Sequence, residues 1–259
     1  MLLARTFKYG KKEGFYLRSA NPALKGSTFD KFRGTSFSKK MTLSGTVNKT
    51  FILLLILMAS AIFTWYQYNL GKPVGHFIVI GLVGGLVTAL IVAFVPKTAP
   101  LLAPVYAALE GLAVGGISAN FEAQFNGITL QAVALTFGTL FALLLAYMFR
   151  IIKVTHNFRL IVFSATMGIM LVYLTSFILG FFGMSVPYLH STGPIGIGIS
   201  LFIVVIAALN LVLDFDFIEY GADRGAPKYM EWYGAFGLMV TLIWLYFEIL
   251  HLLAKLRRN

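Results

Sequence analysis

Pro194-Ile-Gly-Ile-Gly-Ile-Ser-Leu-Phe-Ile-Val-Val-Ile-Ala-Ala-Leu-Asn210-Leu-Val-Leu-Asp214-Phe-Asp216-Phe-Ile-Glu219 is an apolar run that ends in acid. About 20 such residues cross the hydrocarbon core of a bilayer as a helix. A carboxylate at the centre of such a helix costs about 2.5–3.5 kcal/mol. A span that keeps Asp214 is therefore read as using it. One further acid, Glu248, stands in the last apolar run, Trp244-Leu-Tyr-Phe-Glu248-Ile-Leu-His251-Leu-Leu. The sequence reading makes these two acids the working centre and the rest of the chain a lipid-shielded bundle around them.

Composition supports a membrane class. The 259 residues are 58% hydrophobic and only 12% charged, against roughly 25% charge in a soluble domain. Most of the surface must then face lipid. There is no cysteine, which excludes disulfide frameworks and thiol catalysis. The net charge of +11 does not point to nucleic acid, because 11 of the 21 basic residues lie in residues 1–49 beside only Glu13 and Asp30. A basic segment next to a first span is attracted to anionic headgroups, at about 1 kcal/mol per side chain. Residues 1–49 contain no apolar run of signal-peptide type and are expected to form a largely disordered tail.

Seven runs have the length of a span: 50–68, 74–95, 100–120, 128–149, 158–182, 194–218 and 233–254. Lipid admits only helices or closed barrels, and runs this long are helical. The expected fold is thus an all-α integral membrane bundle of seven helices, preceded by the tail and followed by a short basic segment, 255–259. Short connections force neighbouring spans to run antiparallel. With the amino terminus inside, 17 basic residues fall on the inner side and four on the outer, which favours that orientation. Lys255, Arg257 and Arg258 go against it. Small residues recur at four-residue spacing, as Gly81, Gly85, Ala89 and Ala93, as Ala103, Ala107, Gly111, Gly115 and Ala119, and as Gly138, Ala142 and Ala146. Such stripes let helix backbones pack closely in lipid.

The chemistry rests on a few polar groups. Asn210 and Asp214 are one turn apart on one helical face, and Asp216, Glu219 and Asp223 make a second stripe nearer the inner surface. Glu110 sits in mid-span with no basic side chain inside any span to neutralise it. Glu110, Asp216, Glu219 and Asn210 are candidates for an ion path or proton relay, or for solvated and hydrogen-bonded groups of purely structural use. If Glu248 lies beside Asp214, the two would share a proton and titrate as a coupled pair. The four histidines are dispersed without metal spacing. No nucleophile elbow and no phosphate-binding glycine loop appears. The chain is not expected to be an enzyme or to hold a cofactor.

The motifs resemble those of the Bax inhibitor-1 family of seven-span membrane proteins. Asp214 with Ile218 matches an Asp-x-x-x-Ile at the end of the sixth span, and Leu245-Tyr246-Phe247-Glu248 matches a Leu-Tyr-x-acid in the last. The tail, with Asn21-Pro-Ala-Leu and Thr42-Leu-Ser-Gly-Thr-Val-Asn-Lys, is similar to that of a bacterial branch, which implies a bacterial cytoplasmic membrane. The resemblance implies a bundle with the last helix at its centre and a pH-sensitive calcium leak, in which Asp214 and Glu248 form the sensing and gating pair and touch calcium transiently. In that family a basic partner near the turn between spans two and three latches the closed state; here Lys97 is the residue available. The resemblance also implies an alternative, a regulator that binds a membrane protease or a cell-death partner. Protons, calcium and the lipid bilayer are the expected partners, and no nucleic acid.

Overall fold

The computed structural model describes residues 40–184 and 191–258, and in them every long element is a helix. The basic stretch 1–39, with its expected disorder, lies outside the described residues. The helices are α1 (Leu43–Asn69), α2 (Gly75–Phe94), α3 (Ala99–Gln124), α4 (Ile128–Met148), α5 (His156–Phe181), α6 (Pro194–Asp223) and α7 (Met230–Arg258). All seven are long and apolar enough to cross a membrane, α3 together with the short 3₁₀ turn Pro96–Thr98 that leads into it. The chain is an integral membrane protein of all-α class.

Local chemistry sets several ends. Thr42 caps α1, its hydroxyl accepting from the Gly45 amide, and Thr155 caps α5 by accepting from the Phe158 amide; such caps satisfy amides that the first turn leaves unpaired. Glu122 accepts from the amides of Gly127 and Thr129 and so closes the turn from α3 to α4. The sequence placed the first boundary at residue 50; the Thr42 cap starts the helix at Leu43. The last helix likewise begins at Met230 rather than 233 and runs on to Arg258.

The core is built around α7. Two thirds of its most apolar window is buried, against about a sixth of the windows of α1, α2, α4 and α5. It packs on α6, α1, α4 and α3. α2 leans chiefly on α3, and α5 on α6, so these two form the outer flanks. One end of the bundle carries the start of α1 and the turns between α2 and α3, α4 and α5, and α6 and α7. The other carries the turns between α1 and α2 and between α3 and α4, with the carboxy-terminal end of α7.

Two of the three small-residue stripes pack as expected. A Cβ at Gly115 would stand 2.2 Å from the Ala61 carbonyl oxygen, and one at Gly111 2.4 Å from that of Leu57, so α3 meets α1 backbone to backbone. The α4 stripe differs: a Cβ on Gly138 meets nothing within 4 Å. Gly115→Ala is therefore expected to lose about 1–3 kcal/mol by overpacking. Gly138→Ala should gain up to about 1 kcal/mol by stiffening the unfolded chain. Thermal unfolding of the two variants in detergent checks the contrast.

Candidate functional site

α6 and α7 run antiparallel, and three contacts set their register. Gly234 lies against Ile218, Thr241 faces Asp214, and Lys255 donates to the Ser200 hydroxyl at 2.8 Å and the Gly196 carbonyl at 3.2 Å. Asp214 stands nine residues before the end of α6 at Asp223, and Glu248 ten residues before the end of α7 at Arg258. In antiparallel helices those ends are on opposite sides of the bundle. Thr241 and Glu248 are seven residues apart, about 10 Å of helix rise. The expected side-by-side acid pair is thus not formed; each carboxyl has a setting of its own.

Asp214 is completely buried, and neither carboxyl oxygen has a hydrogen-bond partner. The Thr241 hydroxyl faces it, but is spent on the Gly237 carbonyl at 3.3 Å. Its helical neighbour Asn210 turns elsewhere, donating to the Thr166 hydroxyl at 2.9 Å and to the Ile206 carbonyl at 2.8 Å, which ties α6 to α5. Leu211, Val212 and Leu213, buried like Asp214, add no polar partner from its own helix.

Glu248 is buried between α5 and α7 and well satisfied. One carboxyl oxygen accepts from the Tyr173 hydroxyl at 2.7 Å and from the Trp244 indole at 3.1 Å. Lys255, two turns further along α7, supplies a positive charge on the same side. Sequence reasoning missed these partners, although Trp244 and Lys255 lie at helical spacings from Glu248 that place them on one face.

The other candidates disperse. Asp216 pairs with Arg159 at 2.6 Å, and Glu219 accepts from the Tyr147 hydroxyl; both tie α6 to its flanks near the Asp223 end. Glu110 packs against the backbone of Gly85 at the interface of α2 and α3, next to Tyr106, whose ring meets Phe236 edge-on. Lys97 is exposed, and none of the three ion pairs among the described residues includes it. The latch role expected for it is not built here. The positive charge near Glu248 belongs to Lys255 instead. Among the described residues no three His, Asp or Glu side chains gather as metal ligands. Calcium needs 6–8 oxygens, so Asp214 and Glu248 make no resident cage for it.

One acid that the sequence reading left in a loop is a centre of order. Glu231 is fully buried at the start of α7. It pairs with Lys49 at 2.5 Å and Lys228 at 2.7 Å. It also accepts from the Thr42 amide at 2.9 Å and the Thr42 hydroxyl at 2.8 Å. The Met41 amide donates to the Ala226 carbonyl beside it. Residues 40–49, read as tail, are thus bolted to the turn between α6 and α7.

A buried, unpartnered Asp on the sixth span and a buried Glu on a central seventh are set in a bundle of seven apolar helices. No curated protein and no solved structure gave a significant match. The family model described as Bax inhibitor 1 like matches residues 21–258, nearly the whole chain. The protein is a member of the Bax inhibitor-1 family.

Proposed function

We propose that the protein is a pH-dependent leak for calcium, or another cation, with Asp214 and Glu248 as its proton-sensing carboxyls. The observation that carries this reading is Asp214, sealed in the core with both oxygens unpartnered. A neutral acid is tolerated there at the cost of unmade hydrogen bonds. An ionised one needs water, a cation or a parting of the helices, because an isolated charge in a dry interior is far more costly. Proton loss at Asp214 would thus loosen the contact of α6 with the central helix. Glu248, about two turns nearer the opposite face, acts as a second station, with Lys255 at its side. The proposed setting is the cytoplasmic membrane, amino terminus inside, as the distribution of basic residues favours.

Calcium flux into proteoliposomes, measured over a pH series, tests the reading. Flux is expected to rise with pH as carboxyls ionise. Glu248→Gln should flatten the response at least severalfold while leaving the protein folded. Absence of calcium flux at every pH would instead favour a regulator that acts by binding a membrane protease.

A further inference from the structure

A groove of about 550 Å³ opens sideways between α1 and α4. Leu54 and Trp65 of α1 face Val133 and Phe137 of α4 across it, over a floor that includes Val114 of α3 and Leu242 of α7. The volume is in the range of roughly 300–1,000 Å³ usual for sites that hold a small molecule. Its mouth opens through outward apolar faces: Met58, Ile62 and Val133 line the groove and are exposed. In a bilayer the medium at that mouth is acyl chain.

Apart from Thr136, whose hydroxyl donates to the Ala132 carbonyl, and the paired hydroxyls of Ser118 and Tyr246, the polar groups of the groove gather at one end. Tyr66 and Asn69 join Trp65 at the carboxy-terminal end of α1, and Trp and Tyr mark headgroup depth in membrane proteins. The opposite end is closed by Leu54 and Leu57. Positive charge gathers at the polar end. Lys72 lies three residues past Asn69. Arg257 donates to the Asn126 carbonyl at 2.7 Å and the Gln131 amide oxygen at 2.9 Å, beside the groove residue Thr129. The acid at this rim, Glu122, accepts from the Gly127 and Thr129 amides and offsets part of the charge of Arg257, so the net positive charge there rests on Lys72 and Arg257 together. An apolar body, an amphipathic belt and a basic end match one chemistry.

We propose that this groove is a site for one phospholipid, with an acyl chain between α1 and α4 and its phosphate at the Lys72 and Arg257 end. The chain would rest on Tyr246 of α7, whose hydroxyl shares a 2.6 Å hydrogen bond with Ser118 of α3. The proposal stands on the shape and polarity of the groove and does not depend on cation conduction.

Native mass spectrometry of the protein released from bilayers of equal parts phosphatidylglycerol and phosphatidylcholine tests it. One retained phospholipid per chain is expected, with phosphatidylglycerol favoured severalfold. Filling the groove by Ile62→Trp with Val133→Trp should lower the lipid-bound fraction at least tenfold. Leu130→Trp, on an exposed α4 position outside the groove, should leave it unchanged. Lys72→Ala with Arg257→Gln should abolish the headgroup preference. A phospholipid carrying a photoactivatable group in its chain, bound to the unaltered protein, should crosslink to peptides containing Trp65 or Val133. No retained lipid, equal retention in the filled variant and the Leu130→Trp control, or crosslinks spread evenly over all lipid-facing helices would overturn the site. A dimer mass that the filled variant loses would assign the groove to a second copy and overturn the lipid. Both lipids carry the phosphate and differ in headgroup charge, so equal retention of the two by the unaltered protein would overturn the Lys72 and Arg257 end as a selector of anionic headgroups.

Discussion

Replacing Lys49 and Lys228 together by methionine is expected to cost about 3–5 kcal/mol, the range found when a buried charge loses its partners. The reason lies in the burial of Glu231, which is total, while both lysines reach solvent. Each lysine alone should matter much less, because the other remains in place and Lys228 is nearly half exposed, where a pair is worth about 0–1 kcal/mol. Glu231→Gln should also be milder than the double lysine change. The amide oxygen can still accept from Thr42, and the freed lysines can turn to water. Thermal or denaturant unfolding in detergent, compared across these four variants, gives the order. A double lysine variant as stable as the parent would mean that Glu231 is held by Thr42 alone.

The second large effect concerns Asp214. Asp214→Leu is expected to raise stability by about 1–3 kcal/mol, because it removes a buried polar group that makes no hydrogen bond. The same change should erase most of the pH dependence of flux. Gain of stability with loss of response is the mark of a residue retained for function rather than for folding. Loss of stability would show that the carboxyl has a structural partner. The two acids should also behave as separate sites. A pair acting as one unit predicts that Asp214→Asn with Glu248→Gln does no more than either alone. The depths found here predict instead that their effects on stability add within about 0.5 kcal/mol, as they do for distant sites without shared partners.

The seven spans were legible because hydrophobic length alone identifies them, and α3 with its glycine and alanine stripe was legible as a close-packed helix. Helix ends were less so. Leu43 to Lys49 reads as polar tail, yet it folds onto α1 because Thr42 and Lys49 meet Glu231, which is 182 residues from Lys49 along the chain. A contact that distant leaves no local signal. Asp214 and Glu248 were recognisable as costly acids, but their pairing was not. Both approach the carboxy-terminal ends of their helices, and antiparallel packing sends those ends to opposite faces. Glu248 itself had a readable partner in Trp244, one turn back on the same face. Tyr173 on α5 had none that spacing could reveal.

The most enclosed helix, α7, also leaves the ribosome after the six helices that precede it in the chain. Until its residues emerge, the faces of α1, α3, α4 and α6 that pack on it lack their partner, and Glu231 is not yet there to fasten Thr42 and Lys49. Biogenesis therefore resembles the setting of a keystone, in which the first six helices wait in the bilayer for the seventh. A chain interrupted before Met230 would lose not one span of seven but the axis that the other helices share, and such a product should be cleared by membrane quality control rather than persist as a partly working bundle.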